Sequence, residues 1–313
     1  MAVDATRERV SAELAGRTLA DLVRRLAPGT SWNAARELCK RGKVRINGQV
    51  VADGAQRLNE GDEVELVPNA PRIREHVLDE AALLYVDADV VIVNKPANLM
   101  SVPFEDDDKN TLVDRLRFLL RRKTGFQGAE LGVVQRLDKD TTGVMVFARN
   151  LSAKRELQQQ FRVHSIERRY LAIVHGALTA EKRAETLLIA DRGDGLRGSY
   201  GVFRRPKGAP PRDAQRAITY LSPKQALRGA TLIECKLETG RQHQIRIHAA
   251  ESGHPIVGER VYIRDYQGPQ LPAARPMLHA AVLGFAHPRT GEPMRFEEPP
   301  PADFTTLLSQ LAT

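Results

Sequence analysis

The spacing of apolar residues divides the chain into a short helical region and a longer region dominated by strands. Between residues 18 and 26 apolar positions recur at the spacing of one helix face, and a second helix is predicted from Ser31, a suitable N-cap, to Gly42. The pair Asn47-Gly48 between two short apolar runs is a strong β-hairpin signal. The hairpin strands and a final strand are predicted at Val44–Ile46, Gln49–Val51 and Glu63–Val67.

Beyond residue 80 the apolar runs are short and rich in β-branched residues, which predicts many strands with few helices between them. Strands are predicted at Leu83–Val86, Val90–Val93, Leu131–Val134, Val144–Ala148, Ala217–Tyr220, Thr231–Leu237 and Gln244–Ala250. Helical spacing is found at Leu112–Arg122, from Ser152 to Phe161, and around Phe304–Leu311. This pattern predicts an α+β fold on a mixed, mostly antiparallel sheet, with a small N-terminal α/β domain in front of it.

Changes in composition suggest where the domains begin and end. Residues 1–16 form a polar tail, expected to be at most a frayed helix, and residues 17–68 form the small domain. The proline-containing segment 69–79 is predicted to be a linker, and residues 80–313 the larger domain. Residues 191–213 are rich in Gly, Pro and Arg, so we expect a long mobile loop that either contacts RNA or is a neutral surface excursion.

Composition and charge narrow the class of protein. The 313 residues are 42% hydrophobic and 27% charged, as in ordinary globular proteins, and the net charge of +8 favours a polyanionic partner. Two cysteines without CxxC spacing argue against a disulfide framework or a zinc site and for a reducing compartment. Because no apolar run resembles a signal peptide or a membrane span, we expect a cytoplasmic protein without a membrane partner.

The charged turn between the predicted strands 131–134 and 144–148 is the strongest candidate for chemistry. It places the carboxylate of Asp138 between two cations, Arg136 and Lys139. Nearby positive charge favours the ionised carboxylate, which is the form required of a nucleophile or general base. On charge alone, a solvated hairpin tip is the favoured interpretation of the turn.

Several motifs in fixed order resemble the RluA-type pseudouridine synthases. QRLDKDTTG at 135–143 resembles the family signature H-R-L-D-x-x-T-[ST]-G, and LYVDADVVIVNKP at 84–96 resembles its first strand and N-K-P turn. TGRQHQIRIH at 239–248 resembles T-G-R-T-H-Q-I-R-V-H, and residues 253–258 resemble G-H-P-I-x-G. The resemblance spans about residues 80–305. Gln135 and Gln242 depart from it, standing where the family usually has His and Thr.

The resemblance implies roles for residues of this chain. Asp138 would be the catalytic residue, Arg246 its cationic partner and Tyr170 an active-site tyrosine that packs on uracil. Arg136 would fill the space left by the flipped base. We also expect substrate contacts from Arg241, His243 and Leu283, with Leu278 as the alternative apolar residue. The family reaction needs no cofactor, and the chain shows no dinucleotide, phosphate-loop or metal-ligand motif, so neither cofactor nor metal is expected.

The small domain resembles the RNA-binding domain typified by ribosomal protein S-four, through GKVRING at 42–48. A basic helix and hairpin can lie across a phosphate backbone, whereas the plain alternative is a solvated helix face. The expected RNA-binding residues are Arg36, Lys40, Arg41, Lys43 and Arg45.

We therefore expect a monomeric enzyme that isomerises uridine to pseudouridine in RNA, with large-subunit ribosomal RNA as the favoured substrate. The alternatives are the same reaction on transfer RNA, or a non-catalytic RNA-binding or ribosome-assembly protein. A glycoside hydrolase is a further rival because Asp138 and Asp140 lie two residues apart.

Overall fold

The computed structural model describes residues 5–70, 78–104, 108, 110–124, 131–203 and 208–312. The chain divides into two compact units, residues 1–77 and 78–313. Most of the expected linker, residues 71–77, lies outside the described residues. No helix within the described ranges is long and apolar enough to cross a membrane.

The N-terminal unit packs two helices on a four-stranded antiparallel sheet of order β1-β4-β2-β3. Its elements are β1 (Thr6–Arg9), α1 (Leu19–Leu26), α2 (Trp32–Lys40), β2 (Val44–Ile46), β3 (Gln49–Val50) and β4 (Glu63–Leu66). The hydroxyls of Thr18 and Ser31 accept backbone N–H bonds at the starts of α1 and α2, as N-caps do. Residues 6–9 were expected in a frayed tail, but they pair with β4, which provides partners for their backbone groups.

The larger unit is built on an eleven-stranded mixed sheet. Its strands are β5 (Leu83–Val86), β6 (Val90–Lys95), β7 (Gly132–Val133), β8 (Thr142–Ala148), β9 (Glu167–His175), β10 (Lys182–Ile189), β11 (Gly198–Ser199), β12 (Gln215–Leu227), β13 (Ala230–Leu237), β14 (Leu278–Ala286) and β15 (Pro293–Glu297). Its α-helices are α3 (Leu112–Thr124), α4 (Leu151–Arg162), α5 (Gln244–Glu251) and α6 (Ala302–Leu311), and Glu80–Ala82 form a 3-10 turn.

The main path of the sheet runs β11-β10-β12-β13-β9-β14-β8-β6-β5, with β15 paired to β14 and β7 to β8. Among the described strands β14 and β8 pair in parallel and the other neighbours are antiparallel. The predicted α+β fold on a mixed, mostly antiparallel sheet is therefore confirmed.

Both faces of the central strands are buried, which explains their almost continuous apolar sequences. On β8, Met145 and Phe147 join a core cluster that includes residues of α3 and α6, whereas Val144 and Val146 join a second cluster with α4. The site described below lies where β8 begins, so the core on both sides of the sheet holds it in place.

The strand predicted over Gln244–Ala250 is wrong, because residues 244–251 form helix α5. The alternation of Ile245 and Ile247 suggested a strand, but the two side chains enter different core clusters from one helix. A helix that is buried on most sides lacks the single apolar stripe by which helices are recognised in sequence.

The segment 191–203 is organised by its own hydrogen bonds, in contrast to the mobile loop that was expected. Asp191 accepts backbone N–H bonds from Gly193 and Gly195, and β11 pairs with the end of β10. The Arg192 side chain is only 7% exposed and forms ion pairs with Asp194 and Asp265 at 3.1 and 3.0 Å, so it is not free to contact RNA. Arg204, Arg205 and Lys207 lie outside the described residues.

Candidate active site

The turn that carries Asp138 is anchored on both sides of that residue. Leu137 is buried, and its backbone N–H and carbonyl both bond to the hydroxyl of Ser101, at 3.1 and 2.7 Å. The turn closes through a bond from the N–H of Thr141 to the carbonyl of Asp138 at 3.1 Å. With its neighbours fixed in this way, the Asp138 carboxylate remains 26% exposed beside a cavity.

Gly143 lets β8 approach β14 closely just behind this turn. Its φ is +118°, and a Cβ there would lie 2.2 Å from the carbonyl oxygen of Ala280. Only glycine fits such a conformation and such a contact. The glycine that ends QRLDKDTTG is thus required by the parallel pairing of β8 with β14.

Lys95 lies beneath the same turn with its side chain fully buried. Its Nζ donates to the carbonyls of Pro96 and Lys139, at 2.9 and 2.8 Å. Burial lowers the pKa of Lys95 to about 7, although the charges of Asp140 and Asp138 act in the opposite direction. Lys95 therefore ties the turn to β6 through hydrogen bonds rather than through a close ion pair.

Arg246 on α5 is the cation nearest to Asp138. Its Nη1 lies 3.5 Å from Asp138 Oδ2, and its other guanidinium nitrogens bind Glu259 in a bidentate pair with two distances of 2.7 Å. Burial lowers the pKa of Arg246, but the hydrogen bond and charge of Glu259, with Asp138, outweigh that effect and raise it. Such a fork-to-fork pair fixes the plane of the guanidinium as well as its charge.

His243 stands at the start of α5 in a left-handed conformation, with φ of 57°. Its Nδ1 lies 2.7 Å from the hydroxyl of Tyr262, and its Nε2 lies 3.9 Å from Asp138 Oδ2. Burial lowers the pKa of His243, and the Asp138 charge offsets part of this. A left-handed non-glycine residue is strained, and such strain is often retained at functional sites.

A cavity of about 820 Å³ brings these groups together. Six of the seven residues that were expected to act on the substrate line it: Asp138, Tyr170, Arg246, Arg136, Arg241 and His243. Tyr170 is 8% exposed, and burial raises its pKa. Leu283 is the exception, because it is buried in the core cluster beside α4, whereas Leu278 lines the cavity.

Sequence reasoning assigned no role to four other residues at or near the cavity. Glu259 has a fully buried side chain, which accepts both bonds from Arg246, and Lys95 supports the turn. Arg168 and the side-chain amide of Gln135 line the cavity with buried nitrogen atoms that lack a hydrogen-bond partner. Two of these residues could have been found from motifs in the sequence: Glu259 directly follows GHPIVG, and Lys95 lies within NKP.

The basic residues of the N-terminal unit differ in availability. Arg36, Lys40 and Arg41 are exposed on and just after α2. Lys43 donates to the carbonyl of Ala70, and Arg45 pairs with Glu65 at 3.6 Å. Lys40 and Arg41 also pair with Glu37, at 3.8 and 3.5 Å, but their side chains are 65% and 51% exposed, against 38% for Arg45. By exposure, the first three are therefore better placed to bind a polyanion than the last two.

One group of side chains has the composition of a metal site. Asp87, Asp89 and His287 place potential ligand atoms within 4.8 Å of one another. The carboxylates are already occupied, because Asp87 accepts two backbone N–H bonds and Asp89 pairs with Arg289 at 2.6 Å. We interpret this group as a turn held by hydrogen bonds.

Comparison with known proteins identifies the class to which this fold and site belong. The sequence profile described as RNA pseudouridylate synthase matches residues 89–251, and that of the S4 domain matches residues 17–64. The chain belongs to the RNA pseudouridylate synthase family. It is therefore an RNA-modifying isomerase with an N-terminal S4 domain, and the glycoside hydrolase alternative is wrong.

Individual relatives match over most of their length. Ribosomal large subunit pseudouridine synthase D of Xylella fastidiosa is 34% identical over 311 residues, which cover 95% of this chain and 89% of that protein. An uncharacterised RNA pseudouridine synthase of Bacillus subtilis is 33% identical, over 90% of this chain and 89% of that protein. The solved structure of human RNA pseudouridylate synthase domain containing 4 shares the fold, with a TM-score of 0.62 and 24% identity over 76% of this chain and 97% of that one.

Proposed function

We propose that this enzyme converts specific uridines of large-subunit ribosomal RNA into pseudouridine, with Asp138 as the nucleophile. The observation that carries the proposal is the position of the Asp138 carboxylate, at the wall of the cavity and 3.5 Å from Arg246. The substrate is suggested by the relatives from Xylella fastidiosa and Zymomonas mobilis, both named ribosomal large subunit pseudouridine synthase D.

The target base has to leave its stack before Asp138 can reach it. Arg136 is exposed at the cavity, and in this mechanism its planar guanidinium takes the place of the flipped base and stacks on the neighbouring bases. The uracil then lies against the ring of Tyr170 and the side chain of Leu278, both of which line the cavity.

Asp138 forms a covalent bond either to the anomeric carbon of ribose or to the uracil ring. In the first route the bond from ribose to N1 breaks and its electron pair stays on uracil. The ring turns, and its C5 attacks the anomeric carbon as the bond from that carbon to Asp138 breaks. The proton on C5 is then lost, and N1 takes up a proton. The atoms of substrate and product are the same and no electrons are gained or lost, so the chemistry requires no redox cofactor.

Arg246 holds the carboxylate of Asp138 in its orientation throughout these steps. A flexible cation would have to be ordered in each catalytic cycle, but Arg246 is 11% exposed and is already fixed by Glu259. Groups that are pre-positioned need no reorganisation when charge moves in the transition state.

The first prediction tests the nucleophile. Purified enzyme incubated with large-subunit ribosomal RNA in buffer should form pseudouridine at specific positions, and Asp138→Asn should abolish this because a neutral amide is a poor nucleophile. RNA affinity should change little. Pseudouridine is measured by chemical mapping and by mass spectrometry of the digested RNA.

Asp140→Asn is the matched control, since it removes one carboxylate from the same turn. It should retain most of the activity. Full activity of Asp138→Asn would eliminate the nucleophile assignment. RNA binding without turnover by the native protein would favour the non-catalytic alternative.

The choice of RNA has its own test. Mapping pseudouridine in cells with and without the gene should show a loss confined to large-subunit ribosomal RNA. A loss confined to transfer RNA would instead support the alternative substrate.

A further inference from the structure

Arg168 is a buried cation at the cavity wall, and no acidic side chain among the described residues pairs with it. It is 6% exposed on β9, two residues before Tyr170. The described part of the chain places no carboxylate within ion-pair distance of it. By contrast, Arg246 is paired with Glu259, and the buried Arg275 is paired with Asp303 at 2.7 Å. Burying an unpaired charge is costly, so an exception at a functional cavity requires an explanation.

Arg168 does not use all of its hydrogen-bond donors. Nη2 donates to the carbonyl of Glu238 at 2.7 Å, whereas Nε is buried without a partner. Its guanidinium carbon lies 5.6 Å from the ring centroid of Phe161, which adds only a weak cation–π contact. Burial lowers the pKa of Arg168, with Tyr170 opposing this and Arg241 adding to it.

The backbone beside Arg168 is shaped to accommodate the guanidinium. A Cβ at Gly240 would lie 2.5 Å from Nη1 of Arg168, so an alanine there would push the guanidinium away. Gly240 and Arg168 both line the cavity that contains Asp138 and Tyr170. The backbone at Gly240 therefore defines where the Arg168 guanidinium lies on one side, and the cavity lies on its other side.

We propose that Arg168 binds an anionic oxygen of the RNA substrate, which supplies the counter-charge that the protein does not. The inference rests on the proposed function. Two oxygens have suitable chemistry: a phosphate oxygen next to the target uridine, and a carbonyl oxygen of uracil once the ring holds the electron pair of the broken bond. Arginine suits either, because its fixed fork of donors matches planar or paired oxygens.

The test compares activity with thermal stability in Arg168→Met and Arg168→Lys. Loss of a hydrogen bond to a charged group corresponds to about a tenfold to hundredfold lower kcat/KM in Arg168→Met. The melting temperature should stay the same or rise, because the variant removes an unpaired buried charge. Arg168→Lys should recover part of the activity, since it keeps the charge but not the fork.

The matched control is Arg169→Met at the adjacent residue. Arg169 is 40% exposed, pairs with Glu167 and Glu234, and does not line the cavity. The Arg169→Met enzyme should keep the activity of the wild type. Gly240→Ala keeps the arginine but displaces it and should lower kcat/KM, which provides a second variant if Arg168→Met does not fold.

Full activity of Arg168→Met would overturn the proposal. So would a loss of activity accompanied by a matching fall in melting temperature, which would make Arg168 a structural residue. If the wild-type enzyme binds RNA without turnover, the proposed function fails and the comparison is made with dissociation constants instead.

Two modified RNAs separate the possible ligands. Each carries a neutral methylphosphonate in place of one phosphate, on the 5′ or the 3′ side of the target uridine. If Arg168 binds a phosphate, the difference between wild type and Arg168→Met should vanish on one of them. If it binds a uracil oxygen, the difference should persist on both.

Discussion

At the scale of single residues, the site depends on charges whose positions are set by specific partners. Arg246 reaches Asp138 at 3.5 Å because Glu259 binds the opposite edge of the same guanidinium. Glu259 in turn accepts backbone N–H bonds from Arg260 and Val261 at 3.0 and 2.8 Å. The aspartate is thus oriented through a chain of contacts that ends in the backbone.

Glu259→Gln should reduce both stability and turnover. Removing one member of a buried ion pair leaves the other uncompensated, which typically costs about 3–5 kcal/mol of unfolding free energy. The value of kcat should fall more than KM rises, because Arg246 would no longer hold Asp138 in place. Chemical denaturation and steady-state kinetics measure the two effects.

The pH dependence of stability provides a second measurement on the same variant. Burial raises the pKa of Glu259, but the hydrogen bond and charge of Arg246 outweigh this and lower it below 4.5. A carboxyl group whose pKa is lowered by folding stabilises the folded state at any pH above its ordinary pKa. That contribution is lost as pH falls through the folded-state pKa. Wild type should therefore lose more stability than Glu259→Gln below pH 4.5. Parallel curves would contradict the assignment.

Lys95 should change the stability in the same direction with pH, but in a higher pH range. Its pKa is about 7 in the folded state, against an ordinary 10.5, so between these values the unfolded chain binds more protons. The unfolding free energy should therefore rise as pH increases from 7 towards 10.5. Lys95→Met should flatten this rise, whereas Lys236→Met, at an exposed position on β13, should not. Denaturation at several pH values tests the difference.

At the scale of elements, a buried hydrogen-bond network fixes α5, the helix that carries Arg246. The Ser199 hydroxyl donates to the Glu251 carboxylate at 2.5 Å, so the Thr186 hydroxyl must donate to Ser199 and accept from His248 Nε2. With one proton on each hydroxyl, every donor in the network has one acceptor. Each residue donates to the next in the order Gln244, Thr219, His248, Thr186, Ser199 and Glu251. Burial lowers the pKa of His248 to about 4, so this histidine is a neutral link in the network at pH 7.

Helix α2 of the N-terminal unit should contribute affinity rather than catalysis. Replacing Arg36, Lys40 and Arg41 together by Ala should lower the slope of log affinity against log salt by about two to three units, since each phosphate contact contributes about 0.7–0.9. KM should rise and kcat change little. Binding titrations at several salt concentrations measure the slope.

A charge-matched triple in the same unit is the control. Arg7, Arg17 and Arg25 are each paired with an acidic side chain at distances between 2.7 and 3.1 Å, closer than the 3.8 and 3.5 Å between Glu37 and the side chains of Lys40 and Arg41. Replacing them should change the slope less. An equal change for both triples would mean that net charge, and not the α2 surface, determines RNA affinity.

At the scale of the whole molecule, the net charge of +8 is consistent with an RNA substrate, and both units carry basic residues that could contact it. Arg136, Lys139 and Arg241 line the cavity of the larger unit, while Arg36 and Lys40 are exposed in the smaller one. Charges of this kind attract RNA without reading its sequence. These charges therefore do not distinguish one uridine from another.

The sequence alone determined the features that rest on local patterns. The capped helices, the hairpin at Asn47-Gly48 and the turn bearing Asp138 follow from residues adjacent in the chain. Motifs in fixed order were sufficient to assign Asp138, Tyr170 and Arg246 to a common site, and they line one cavity.

Only the tertiary structure decided which distant residues meet. A helix buried on most sides has no single apolar stripe, so α5 was predicted as a strand. Leu278 could not be distinguished from Leu283 by apolar character. The partner of Arg246 is Glu259, thirteen residues away on another segment. The sequence likewise cannot predict that Arg168 has no acidic partner among the described residues, because this depends on every residue that surrounds it in the fold.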